Sequence, residues 1–559
     1  MSTEPGPLPN QEVEFKLLAH GRLVLAEVEA VARAIGLEVG MAQNVRQIDR
    51  YLDSAGLDLL RRGAALRVRE GAGAAKLCFK GSASFEGQAL RRLEVEEAVA
   101  VGAPDPASAA DLPRRLRDFV EPMTLIRPLA EIASLENRRV RHTLLHGTSG
   151  AQAELCIDRV RVLSSRGVVG SFVEVEIEAK KGSAEAFAPL ATALVENFGL
   201  EHSRPSKLER ALLAGGCTLP LPQARRSELS PQMPFREAAA RVLRVGFEAL
   251  RAAEPIARLG EDDEGVHRMR VATRRLRAAF RIFAPAFGPK RLDTAKRLFG
   301  QTGRALGPVR DLDVMLVRLP ALSLDLPEQL AAELPPLLDL LVALREEQRR
   351  RMLVRLTSRS RLRAMERFES FLSQLEQRYG IGASPDAGAR HPRRRRGSGD
   401  QPTGEVALEL LHAAARRVFK RGDRVGKHSP AETLHELRIA VKRLRYTADA
   451  LEDVAPRDLV LWLKQTAALQ DLLGAYNDAR VMEAHLTGWT DSRAGGRLPR
   501  KTLLAVGGLL GVQERRAREA RTEFRKLWKE FSREKWRRRL VPAPEEPPPS
   551  ATAPASAAP

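Results

Sequence analysis

The chain has 559 residues, a length that suggests two to four domains, and its 43% hydrophobic content supports sizeable cores. Its 92 lysines and arginines outnumber 71 aspartates and glutamates, giving a net charge of +21, which bears on partners rather than on fold. The three cysteines, Cys78, Cys156 and Cys217, lack zinc-site spacing, and their odd number argues against a disulfide framework, so a reducing cytoplasm is the expected location. Residues Met1–Asn10 lack the basic and apolar regions of a signal peptide, and the most apolar stretch, 503–512, is too short and too glycine-rich to span a bilayer.

The charge is unevenly placed. Residues 1–218 carry 28 basic and 29 acidic side chains, whereas the remainder carries 64 and 42. The C-terminal part should therefore attract a polyanion: nucleic acid, polyphosphate or an anionic membrane surface.

In chain order, residues 11–17, 64–70, 75–80, 91–98, 138–145, 153–162 and 171–179 alternate polar and apolar positions, which predicts half-buried strands. Helices are expected at about 24–35 and 184–198. Together these define a first domain over 11–215, followed by a Gly/Pro/Ser-rich linker at 216–234. The rest, 235–538, reads as amphipathic helix, broken by an insertion at 381–404 whose composition predicts disorder. The Pro/Ala/Ser-rich tail, 541–559, is also expected to be disordered. The fold class is thus α+β for the first domain, followed by an all-α domain.

The polar strand faces are sorted by sign. Glu12, Glu14 and Lys16 share one side of a strand, as do Arg67 with Arg69, Lys76 with Lys80, Glu94 with Glu96, Glu154 with Asp158, and Glu174 with Glu176 and Glu178. Neighbouring like charges on one strand face are costly unless compensated. A closed barrel with a polar lumen would compensate them, its carboxylates holding a hard cation such as Mg²⁺ and its basic rows holding phosphate oxygens. A Gly-rich phosphate loop is absent, and so is any Ser/His/Asp or Cys/His nucleophile array, which excludes ordinary NTPase machinery and covalent catalysis of those kinds.

The run Gln11-Glu12-Val13-Glu14-Phe15-Lys16-Leu17 resembles the Glu-x-Glu-x-Lys signature that opens the CYTH superfamily, the triphosphate tunnel metalloenzymes. Asp49–Asp53, Ala65–Arg69, Leu77–Lys80, Phe172–Glu178 and Ser206-Lys207 resemble the later motifs of that family, in its order. The resemblance implies a closed antiparallel barrel with flanking helices and metal-dependent hydrolysis of inorganic triphosphate to diphosphate and phosphate. By that resemblance Glu12, Glu14, Glu174 and Glu176, with Glu178 as helper, hold Mg²⁺ or Mn²⁺. Lys16, Arg67, Arg69, Lys80 and Lys207 bind the triphosphate, together with a middle-strand arginine for which Arg138 is the first choice and Arg139 the second. Asp158 positions metal or water, and Glu94 and Glu96 are further tunnel carboxylates. Arg91-Arg92 adds positive charge beside the family's pattern.

The helical half contains an internal repeat. His267, Arg270, Arg274 and Arg277 recur as His435, Arg438, Lys442 and Arg445 at an offset of 168. Arg297 and the Leu306–Asp311 motif recur as Lys464 and Leu473–Asp478 at an offset of 167. Two similar helical bundles related by a pseudo-twofold are therefore expected. Each basic set falls on one helical stripe, whose mutual repulsion a polyanion would relieve.

This pattern is similar to the CHAD family, an α-helical twofold of bundles that binds inorganic polyphosphate. The resemblance makes His267, Arg270, Arg274, Arg277, Arg297, His435, Arg438, Lys442, Arg445 and Lys464 candidate polyphosphate contacts. The basic stripes lack interleaved aromatics, so base stacking is unsupported and no specific nucleic-acid partner is expected. The combined arrangement is most like bacterial inorganic triphosphatases that carry a CHAD domain. Two alternatives stand beside it: a polyphosphate-binding, granule-associated protein without activity, and a triphosphatase acting on thiamine triphosphate or a nucleotide.

Overall fold

A computed structural model describes residues 11–533, apart from 22, 72, 101, 220–225, 261–262, 288–289, 382–398, 456 and 493–494; at 86 and 457–466 it describes the backbone only. The expected tail, 541–559, and most of the expected insertion lie outside the described residues. The chain divides into two compact units, residues 1–224 with 251–265 and residues 225–250 with 266–559.

The first unit is built on eleven strands: β1 (Gln11–Ala19), β2 (Leu37–Val39), β3 (Gln43–Asp53), β4 (Ala65–Glu70), β5 (Ala75–Lys80), β6 (Ser84–Glu86), β7 (Ala89–Val99), β8 (Ala130–His146), β9 (Ala151–Ser164), β10 (Gly167–Lys181) and β11 (Glu201–His202). Helices α1 (Leu25–Ala34), α2 (Arg114–Thr124), α3 (Ala188–Phe198) and α4 (Lys207–Ala214) accompany them. The hydrogen-bonded order β1-β10-β9-β8-β3-β4-β5-β7 returns from β7 to β1, so eight antiparallel strands close into a barrel. Closure leaves these strands without free edges.

Alternation then decides what faces the lumen. On the outer wall, Val13, Phe15, Leu17, Leu155, Ile157, Val175 and Ile177 pack beneath Val28 and Ala32 of α1 and Leu190, Ala191 and Leu194 of α3. On the inner wall, Tyr51, Leu135, Val160 and Val162 meet Leu208, Ala211 and Leu212 of α4. These wall residues share strand faces with Asp49, Arg139 and Asp158, so α4 fills one mouth of the barrel with its apolar side.

The second unit is helical among its described residues: α5 (Phe235–Leu259, divided between the units), α6 (Glu264–Ile282), α7 (Asp293–Ser323), α8 (Glu328–Ala331), α9 (Pro335–Leu356), α10 (Arg359–Tyr379), α11 (Thr403–Gly422), α12 (Ala431–Ala450), α13 (Arg457–Thr490) and α14 (Arg500–Phe531). The repeat appears as matched helices, with α6 and α7 answered by α12 and α13. Among its described residues, no helix is long and apolar enough to cross a membrane.

Residues 399–404, assigned from composition to the disordered insertion, are instead held in place. The Gly399 and Gln401 carbonyls accept from the amides of Arg236 and Phe235, and Thr403 donates to the Met233 carbonyl before opening α11. Polar composition did not register these backbone bonds. Leu155 is fully buried in the outer-wall core. Leu155→Ala is therefore expected to cost about 2–5 kcal/mol in chemical denaturation followed by circular dichroism.

Candidate functional site

The lumen is lined by charges that neutralise one another. The centre is Lys207, the first residue of α4. Ser206 caps that helix, accepting from the Glu209 amide, while the Glu209 carboxylate accepts from the Ser206 amide at 2.7 Å. This start aims Lys207 Nζ at three carboxylates: Glu176 at 2.5 Å, Glu174 at 2.8 Å and Asp158 at 2.9 Å. Arg139 joins the group, donating to both oxygens of Asp158 at 2.6 and 2.7 Å and to Glu176 at 2.7 Å. Lys16 lies 3.5 Å from both Glu176 and Glu14.

A second cluster forms around β1, β5, β7 and β10. Arg92 donates to Glu12 at 2.6 Å and to Glu14 at 2.8 Å. Lys80 reaches Glu12 at 2.8 Å and Glu94 at 3.2 Å. On β3 and β4, Arg69 grips Asp49 at 2.7 and 2.9 Å, and Arg67 lies 3.5 Å from Asp49 and 3.6 Å from Glu94. Seven carboxylates (Glu12, Glu14, Asp49, Glu94, Asp158, Glu174, Glu176) thus interlock with seven cations (Lys16, Arg67, Arg69, Lys80, Arg92, Arg139, Lys207).

Burial disfavours ionisation of every such acid, so the partners decide each state. At Glu176, burial is outweighed by Lys207, Lys16 and Arg139, which hold it well below the usual carboxylate range. Lys80 and Arg92 likewise hold Glu12 low against its burial. At Glu14 burial wins and raises the carboxyl. Glu178 is pushed up to about 7 by burial and by the neighbouring Glu12.

Ligand oxygens of Glu12, Glu94 and Glu178 all lie within 4.8 Å of one another. An all-oxygen trio of this kind suits a hard divalent cation. Of the expected metal ligands, Glu12 and Glu178 fall in this trio, whereas Glu174 and Glu176 stand with Asp158 around Lys207, and Glu14 touches both groups through Arg92 and Lys16.

The structure reverses one expected choice, sets one tunnel carboxylate near an opening and adds two lumen members. Arg138, the first choice for the middle-strand arginine, points outward with 65% of its side chain exposed and lies 3.7 Å from Glu136. Arg139 takes the lumen position because β8 sets it opposite Asp158 of β9. Glu96 lies at a more open position, paired with the half-exposed Lys76 at 2.9 Å. Asp49 and Arg92 are lumen members that the spacing argument left without a role. Their signal was present, since Asp49 alternates with Tyr51, and Arg92 with Glu94.

In the helical unit the two basic stripes converge. Lys442 of α12 feels Arg270 and Arg274 of α6 as well as its own neighbour Arg438; burial first, then these cations, lower it to about 8. The Arg274 guanidinium lies over the Tyr446 ring, 5.5 Å from its centre. Burial and the cations Arg443 and Arg277 lower Arg281. Arg281, Arg443 and Tyr446 thereby join the surface.

Arg270 lies 3.6 Å from Asp311, and Arg438 lies 3.7 Å from Asp478. Each aspartate also meets a side chain of the opposite repeat: His485 at 3.8 Å from Asp311, and Arg318 at 3.4 Å from Asp478. Arg318 and His485 are themselves 167 apart, so the sequence repeat extends to them. His435 Nδ1 lies 3.2 Å from Asn477 Oδ1. Arg445 turns to Asp449 at 3.7 Å. His267 is half-buried, while Arg277 and Arg297 are exposed, with Arg297 donating to Thr294 at 3.4 Å. The Lys464 side chain lies outside the described residues.

Residues 10–212 match the sequence model of the CYTH domain, and residues 241–487 match that of the CHAD domain. An uncharacterized protein of Mycobacterium tuberculosis strain CDC 1551 is 26% identical over 506 residues, covering 86% of this chain and 89% of that protein. Among solved structures, the CHAD domain from the plant Ricinus communis is 23% identical, with a TM-score of 0.44, over 54% of this chain and 93% of that one. A putative adenylyl cyclase from Hippeastrum, described as having a dominant triphosphatase activity, is 21% identical, with a TM-score of 0.28, over 37% of this chain and 98% of that one. The chain therefore carries a CYTH domain over residues 10–212 and a CHAD domain over residues 241–487.

Proposed function

We propose that this protein hydrolyses inorganic triphosphate within the barrel and binds inorganic polyphosphate on the basic face of its helical unit. The observation that carries the first part is the lumen's matched set of charges. Carboxylates able to bind divalent metal and cations able to bind phosphate already touch one another, so a metal–triphosphate complex can take up both halves together. Bound Mg²⁺ or Mn²⁺ would neutralise the phosphate chain and polarise the phosphoryl group.

In this reading Glu12, Glu14, Glu174 and Glu176, with Glu94 and Glu178, serve the metal. Lys16, Arg67, Arg69, Lys80, Arg139 and Lys207 hold phosphate oxygens, and Asp158 positions Arg139 and Lys207. No protein nucleophile is required, because attack by water on a phosphoryl group needs positioning and charge stabilisation above all. The CHAD match of the helical unit supports inorganic triphosphate over an organic one, and it supports a reading in which the protein works beside polyphosphate in the cytoplasm, including at granules.

The test is phosphate release from inorganic triphosphate, ATP and thiamine triphosphate with Mg²⁺ or Mn²⁺. Inorganic triphosphate should be the preferred substrate, and Glu12→Gln with Glu14→Gln should lower release by at least about a hundredfold. Preference for ATP or thiamine triphosphate would move the substrate to the organic class. No release from any of the three by folded wild type would leave a binding protein.

The helical unit makes its own prediction. Lys442 is lowered in the free protein and regains its ordinary basicity beside a polyanion, so binding takes up a proton above pH about 8. Polyphosphate affinity should therefore fall as the pH rises through that value. Lys442→Arg should flatten the profile, and calorimetry in buffers of different ionisation enthalpy measures the uptake directly.

A further inference from the structure

Asn137 lies on β8 between Leu135, which packs against α4, and Arg139, which reaches Asp158 and Glu176. The β8–β9 register is unbroken across this stretch, so alternation sets all three side chains on the lumen face. Asn137 is 1% exposed, yet neither its Oδ1 nor its Nδ2 has a hydrogen-bond partner. Directly across the β3–β8 pair stands Gln47, on the face shared with Asp49, and its Oε1 is also buried without a partner. Arg67 Nε, on the lumen face of β4, is a fourth such atom.

A buried polar atom left unpaired costs about 1–3 kcal/mol, and folded proteins keep few of them. Here several orphans share one lumen wall, beside the end that α4 fills. The buried carboxylates of the lumen, by contrast, are tied into ion pairs. The orphans therefore mark the part of the tunnel wall whose partners have yet to arrive.

We propose that Asn137 and Gln47 form a neutral amide seat, next to the plugged end of the tunnel, that binds the terminal phosphoryl group of the substrate. The inference rests on the triphosphatase reading and adds to it a residue pair that sets where the chain stops. Two arguments favour a phosphoryl group over a lone water. Arg139 is the next lumen residue along β8 and Arg69 stands across the β3–β4 pair from Asp49, so exchangeable cations adjoin the seat, and Arg67 Nε and Asn137 Nδ2 are both free donors. An amide also offers donor or acceptor after a half-turn, so the pair accepts a phosphate oxygen whether bare or protonated. A terminal phosphate titrates near pH 6 and presents both kinds of oxygen around neutrality, whereas an interior phosphoryl group has no such proton. With α4 filling the adjacent mouth, a phosphate chain reaches the seat end-first.

The test uses the full chain with Asn137→Leu and Gln47→Leu, which nearly preserve volume while removing the amides. A hydrogen bond to a charged group is strong enough that kcat/KM for inorganic triphosphate should fall by roughly tenfold or more in each variant, chiefly through KM. The thermal midpoint of Asn137→Leu should hold or rise, because an unpaired buried amide has been removed. Unchanged kcat/KM in both variants would overturn the seat. A lower midpoint accompanied by lost activity would also overturn it, by showing that the amide serves the fold. Wild type without triphosphatase activity would overturn both the seat and the reading beneath it, and that outcome is seen before any substitution is made.

Discussion

Closing eight strands into a barrel sends every second side chain into a narrow lumen, and in this protein many of those positions are charged. Ionised groups in such a place are tolerated only when paired, since removing one partner of a buried pair costs about 3–5 kcal/mol. The lattice of Lys207, Arg139, Arg92 and their carboxylates follows from that constraint. The fold around it serves the same end. The capping box at Ser206 delivers Lys207, and the β8–β9 register delivers Arg139 to Asp158. The apolar side of α4 fills one mouth.

The same lattice shapes what can bind. A cation entering alone must displace Lys207, Lys80 or Arg92 and leave it buried without a partner. A phosphate chain entering alone strands the carboxylates instead. A metal and a phosphate chain arriving together restore both sides, each pair exchanging its internal partner for an external one. In the helical unit a different balance holds, because cations from two repeats converge around few acids among the described residues, Asp311, Asp478 and Asp449. That face carries uncompensated positive charge, and Lys442 records the strain in its lowered basicity.

Much of this was legible in the sequence because the lumen and the outer wall differ in polarity. Strands β1, β4, β5, β7, β8, β9 and β10 alternate between charge and aliphatic residues, so period two was plain. Strand β3 was not predicted over its length. Its outward Arg46 and Arg50 and its inward Gln47 and Asp49 make both faces polar, which erases the hydrophobic period. Helix α4 is too short for a helical period to stand out, although its Ser-x-x-Glu cap was there to read. The choice between Arg138 and Arg139 could not be made locally, since arginines occupy both parities of β8, and only the partner strand settles it. The convergence of α6 and α12 is tertiary, and the repeat alone predicted two stripes without saying that they meet.

The lumen's neutrality rests on its own lysines and arginines. Mn²⁺ binding to the full chain, followed by electron paramagnetic resonance with and without saturating inorganic triphosphate, addresses this directly. The account predicts weak binding of Mn²⁺ alone, a gain of at least about tenfold in affinity when triphosphate is present, and loss of that gain in Lys207→Ala. Tight Mn²⁺ binding that is indifferent to triphosphate would contradict it.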